Sequence, residues 1–89
     1  MKEKRNEEKT TRDKAVDNYN IILYNDNVNT FDFVIRSLIE ICGHDFIQAE
    51  QCAITIHNNG KCDIKNGKYD ELFATYIELS NRNLTVSIE

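Results

Sequence analysis

The sequence predicts a two-layer α/β sandwich, three helices against a small three-stranded, mainly antiparallel sheet, in the order β-α-α-β-α-β. Three observations predict it. Three short stretches, at Tyr19–Tyr24, Lys61–Lys65 and Leu84–Ile88, have strand length and strand-like apolar patterning. Three longer ones, at Phe31–Cys42, Phe46–Asn58 and Lys68–Asn81, place apolar residues at helical spacing. Clusters of Asn, Asp and Gly separate them. The chain has 89 residues, one small domain at most, and its 40% hydrophobic content is enough for a single core.

Residues 1–18 read as a disordered N-terminal extension. They hold six Lys/Arg and five Asp/Glu, with Met1, Ala15 and Val16 as the only apolar residues. Such a segment buries too little surface to offset its ordering entropy. Its mixed sign rules out a basic arm. The folded part, residues 19–89, carries five basic and ten acidic residues. The net charge of −4 argues against a nucleic-acid partner. No apolar run approaches the ~20 residues of a membrane span. No apolar signal segment follows Met1, which predicts a cytoplasmic protein and no membrane partner.

In the first strand, Tyr19, Ile21 and Leu23 face one way and Asn20, Ile22 and Tyr24 the other. The stretch Tyr24–Val34 then organises the rest. Asn25, Asp26, Asn27 and Asn29 form a loop without Gly or Pro, rich in hydrogen-bonding groups. Its carboxylate, Asp26, is a candidate to meet a cation; read locally, the stretch is a turn and a helix cap. Asn29 or Thr30 caps the first helix. That helix carries a wide apolar set (Phe31, Val34, Ile35, Leu38, Ile39, Ile41, Cys42), which predicts burial on more than one side, and Gly43 ends it.

Asp45 caps the second helix. Phe46, Ala49, Ala53, Ile56 and His57 form one stripe on it, kept low by two alanines and ended by His57 beside Asn58-Asn59-Gly60. The next strand has Cys62 and Ile64 inward, and Asn66-Gly67 breaks it. The third helix carries Tyr69, Leu72, Phe73, Tyr76, Ile77 and Leu79. In the last strand Leu84, Val86 and Ile88 alternate with Thr85 and Ser87. Cys42, Cys52 and Cys62 lie beside apolar residues and make no CxxC pair, which predicts reduced thiols. A metal site from Cys42, His44, Cys52 and His57 matches no common zinc spacing, so no metal ligand is assigned.

Residues 19–89 resemble the ClpS adaptors of the bacterial N-end rule pathway. The resemblance is carried by Ile21-Ile22-Leu23-Tyr24-Asn25-Asp26-Asn27, Thr30-Phe31-Asp32-Phe33-Val34, Ala49-Glu50-Gln51, Ile56-His57, Gly60-Lys61 and Leu84-Thr85-Val86-Ser87-Ile88-Glu89. It implies a non-enzymatic adaptor with no cofactor and no catalytic residue. Its job would be to hold N-degron substrates by their first residue and hand them to a Clp-family AAA+ unfoldase. Residues matching Asn25, Asp26 and His57 would hold the α-amine and first peptide group, with Asn27 and Asn29 beside them. Phe31, Val34, Ala53, Ile56 and Leu84 occupy the family's pocket positions, implying selection for Leu, Phe, Tyr or Trp. The chemistry agrees: a free α-amine is mostly cationic near neutral pH and needs acceptors around it.

The chain departs from the family in places. Asn27 stands where the family usually has a second Asp, Asn29 where it has Thr, and Thr30 where it has Pro. Methionine is common at the positions of Phe31 and Ala53. The stiffer ring of Phe31 is then expected to govern rejection of β-branched first residues. Charged residues that face the unfoldase in the family are replaced near Ala74 and Tyr76. The rival classes are an enzyme, for which no nucleophile elbow or phosphate loop is present, and a generic protein-interaction domain of ribosomal-stalk-like shape.

Overall fold

The computed structural model describes residues 18–89, so the predicted extension, residues 1–18, lies outside the described residues except for Asn18. The strands are β1 (Tyr19–Tyr24), β2 (Lys61–Gly67) and β3 (Thr85–Ile88); the helices are α1 (Phe31–Cys42), α2 (Phe46–Asn59) and α3 (Tyr69–Asn81). The order is β-α-α-β-α-β, as predicted. The sheet runs β2-β1-β3 with both pairings antiparallel.

Local chemistry sets the element ends. Thr30, rather than Asn29, caps α1, its Oγ1 accepting from the Phe33 N–H at 3.1 Å. Asp45 caps α2 through the Gln48 N–H at 2.7 Å. Gly43 and Gly60 end these helices in the left-handed conformation, at φ 74° and 93°. Leu79 and Leu72 of α3, Leu38 of α1, Ala49 of α2 and Ile21 of β1 are fully buried in one core. Tyr19 braces α3 through a T-shaped contact with Tyr69, the ring centroids 5.4 Å apart. Arg82 ties the end of α3 to α1 through Glu40 at 2.8 Å and Ser37 at 3.2 Å.

Some expectations need correction. Strand β2 does not break at Asn66-Gly67: those residues pair with Asn20 and Tyr19, and the Asn66 amide bonds the Tyr19 carbonyl at 2.8 Å. The register shifts opposite Ile21/Ile22, leaving Ile64 as an extra residue, a bulge. The His44 ring Nε2 bonds the Ile64 carbonyl at 2.8 Å. Ile22 is buried although it alternates with Ile21 and Leu23. On α1, Ile35 and Leu38 are buried but Phe31 and Ile39 are exposed, so the helix is not covered on all its apolar sides. On α2, Cys52 joins Ala49, Ala53 and Ile56 in the buried set, while Phe46 and His57 stand exposed.

The three cysteines are free thiols. Burial pushes the Cys52 and Cys42 thiols up, which keeps them protonated. Among the described residues no group of three or more His, Cys, Asp or Glu is placed to hold a metal ion. Nor is any described helix long and apolar enough to cross a membrane.

Candidate functional site

The loop after β1 is pinned at both ends. At its start, the Asn25 N–H donates to the Gly60 carbonyl at 2.8 Å, which joins the loop to the end of α2. Asp26 then folds the loop onto itself. Its Oδ1 accepts from the backbone N–H groups of Val28 and Asn29, both at 2.9 Å. Its Oδ2 accepts from the Asn29 side-chain amide at 2.8 Å and from the Thr85 hydroxyl at 3.2 Å. The Asn29 amide also donates to the Asn83 carbonyl at 2.9 Å.

A carboxylate offers about four acceptor positions, and the four donors occupy Asp26's. Burial by itself would raise its pKa, but the bonds from Asn29, Val28 and Thr85 outweigh it and hold the carboxyl below its ordinary value. Asp26 is thus a charged staple for the loop. The side chains of Asn25, Asn27 and His57 carry the polar atoms around it.

Helices α1 and α2 pack side by side beneath this loop. Thr30 starts α1 where the loop ends, so Phe31 and Val34 project beside the polar residues. The alanine stripe of α2 leaves room opposite them. The outcome is a cavity of about 250 Å³ lined by Asn25, Asp26, Asn27, Asn29, Phe31, Val34, Ala53, Ile56 and His57. Nine of the ten residues singled out in the sequence therefore surround one hollow. One end offers amides, a carboxylate and an imidazole. The other offers a phenyl ring, a valine, an alanine and an isoleucine.

Leu84 is the exception. It is buried in the core, its N–H bonded to the Leu79 carbonyl at 3.2 Å, and is not part of the cavity lining. Three residues that sequence reasoning did not assign to the site support it: Thr85, Asn83 and Gly60. Gly60 is legible as a turn. Nothing in the local pattern marks Thr85 or Asn83, because their partners lie more than 50 residues away. Asn83 is held at φ 65°, a conformation that Asn tolerates better than most residues.

A small α/β domain with a short cavity, polar at one end and apolar at the other, has the form of a module that can hold a small two-part ligand. Residues 14–84 match the family described as ATP-dependent Clp protease adaptor protein ClpS, and the chain belongs to that family of non-enzymatic adaptors. Curated relatives include the ATP-dependent Clp protease adapter proteins ClpS of Campylobacter jejuni subsp. jejuni and of Campylobacter jejuni subsp. doylei. Each is 45% identical over 42 residues, covering 47% of this chain and 44% of the relative, so the match spans less than half of each relative's length. The solved structure of Agrobacterium tumefaciens ClpS2 bound to L-phenylalaninamide shares the fold. It matches with a TM-score of 0.78 at 18% identity, over 83% of this chain and 96% of that one.

Proposed function

We propose that this chain binds N-degron substrates by their free α-amine and bulky hydrophobic first residue, Leu, Phe, Tyr or Trp. It then delivers them in the cytoplasm to a Clp-family AAA+ unfoldase and protease. One observation carries this reading: hydrogen-bond acceptors and an apolar hollow share a single small cavity. A protein N-terminus places a cation and a side chain on the same carbon, so only such a group satisfies both ends together. The amine is received by the side-chain oxygens of Asn25 and Asn27 and by a ring nitrogen of His57, with Asn29 and Asp26 holding the loop in shape. Asp26 adds negative charge next to the cation. Phe31, Val34, Ala53 and Ile56 receive the side chain.

Magnitudes show why both ends matter. A charge-assisted hydrogen bond contributes roughly 1.5–3 kcal/mol. Burying a Leu or Phe side chain contributes about 1.5–3 kcal/mol. Neither alone gives useful affinity after the cost of immobilising a peptide. The ligand of the Agrobacterium relative, L-phenylalaninamide, has this two-part chemistry: a free α-amine and a benzyl side chain on one carbon.

The test is a binding panel of peptides that differ only in residue one, each with an N-acetylated twin. Leu, Phe, Tyr and Trp starts are expected to bind and their blocked twins to fail. Equal binding of free and blocked peptides would instead favour a generic interaction domain. Delivery is tested separately, by degradation of a Leu-starting reporter with a Clp unfoldase in the presence and absence of this chain.

A further inference from the structure

The apolar face of α1 that stays exposed forms a second groove. Phe31, Ile35 and Ile39 follow one another at every fourth position, and Phe46 at the start of α2 completes an open hollow of about 420 Å³. Phe31 is 42%, Ile39 37% and Phe46 56% exposed, while Ile35 forms a buried floor. Phe31 lines this groove and the first cavity alike. The two hollows are therefore neighbours, divided by one phenyl ring.

We propose that this groove is a second subsite of the same binding surface and takes an apolar side chain from the third residue of a bound N-terminus. The inference rests on the first-residue reading above. An extended peptide turns alternate side chains to the same side, so residues one and three face the same surface about 7 Å apart. Because Phe31 lines both hollows, a peptide that leaves the first cavity across that ring would bring residue three over the groove. The rim selects further. Asp32, Glu40 and Glu50 stand there with Arg36, and Glu40 is already paired with Arg82 at 2.8 Å. The surplus of carboxylates disfavours an acidic third residue.

The experiment measures the affinity of the full chain for free-amine peptides of the form Leu-Ser-X-Ser-Ser, with X as Leu, Phe, Ser or Asp. Leu and Phe at X are expected to bind about five- to tenfold tighter than Ser, and Asp more weakly than Ser. The variants Ile39→Ser and Phe46→Ser lie outside the first cavity. They should reduce the Leu-over-Ser preference to less than about twofold. Their affinity for the X = Ser peptide should stay unchanged, which also reports that they are folded. Indifference to X, or a preference that survives in both variants, overturns the subsite. So does a dimer of this chain that Phe46→Ser dissolves, since the groove would then serve a second copy. If Leu-starting peptides bind no better than their acetylated twins, the first-residue reading has failed and this inference falls with it. If they do bind better and X has no effect, only this inference fails.

Discussion

Thr85 donates its hydroxyl to the Asp26 carboxylate at 3.2 Å, linking residues 59 positions apart. Asn29 makes the parallel tie, to the Asn83 carbonyl at 2.9 Å. The loop that forms the polar end of the cavity is thus held by the segment that leads into β3. Its shape is a property of the tertiary fold as much as of its own Asx residues.

Removing the staple should be costly. Asp26→Ala frees four donors at once. It is expected to destabilise the chain by about 1–3 kcal/mol, and Thr85→Val by about 0.5–1.5 kcal/mol. Urea unfolding of both variants checks the order, and a Thr85→Val loss equal to that of Asp26→Ala would contradict it. Asp26→Ala should also weaken binding of a Leu-starting peptide.

The same carboxylate predicts a pH dependence. Burial opposes the ionised form of Asp26, yet the bonds from Asn29, Val28 and Thr85 leave its folded pKa below the ordinary value. A depressed carboxyl adds stability that is complete above the unfolded value of about 3.9 and is lost as pH falls through the lower folded value. Loop order should therefore persist down to about pH 4 and decline below it. A titration of Asp26→Asn should show a smaller acid-side change.

Recognition of the amine is tested at the rim. His57 is exposed and stands in the last turn of α2, facing the cavity. His57→Ala is expected to weaken a free-amine Leu peptide by about 1.5–3 kcal/mol, and Asn25→Ala by a similar amount. Neither change should alter binding of the acetylated twin. Calorimetry with both peptides makes the comparison, and identical losses on both would point to a structural effect.

Phe31 is the expected gate against β-branched first residues, because its ring forms one wall of the hollow. The native chain should bind a Leu-starting peptide more tightly than an Ile-starting one, and Phe31→Ala should narrow that gap. An Ile peptide that already equals Leu in the native chain removes this role from Phe31.

Gly60 joins the site to the backbone. Its carbonyl accepts the Asn25 N–H at 2.8 Å while its φ is 93°. A Cβ placed there meets nothing within 4 Å, so the penalty is one of backbone strain alone. Gly60→Ala should therefore destabilise by about 1–2 kcal/mol, read from thermal or urea unfolding. Because the strain falls between His57 and Asn25, peptide affinity should drop with it.

The element order, the cap Asp45, a cap at either Asn29 or Thr30, the stop at Gly43 and the polar character of residues 25–29 were all legible in the sequence. Each depends on neighbours within about one turn, where spacing and side-chain chemistry decide the outcome. The low stripe of Ala49 and Ala53 was legible for the same reason; Ala53 lines the cavity while Ala49 is buried in the core.

Only the tertiary structure decided what covers each face. Periodicity groups Phe31, Ile35 and Ile39 together but does not say that Phe31 and Ile39 stay partly exposed while Ile35 is buried. Nor does it show that Leu84 goes to the core instead of the cavity, or that Ile64 bulges from its ladder toward His44. Asp26 gives the sharpest case. Its residue type suggests a partner for a cation, but its donors arrive from Thr85 and from the loop itself. Contacts of that range leave no trace in local spacing, because they exist only once the strands and helices have packed.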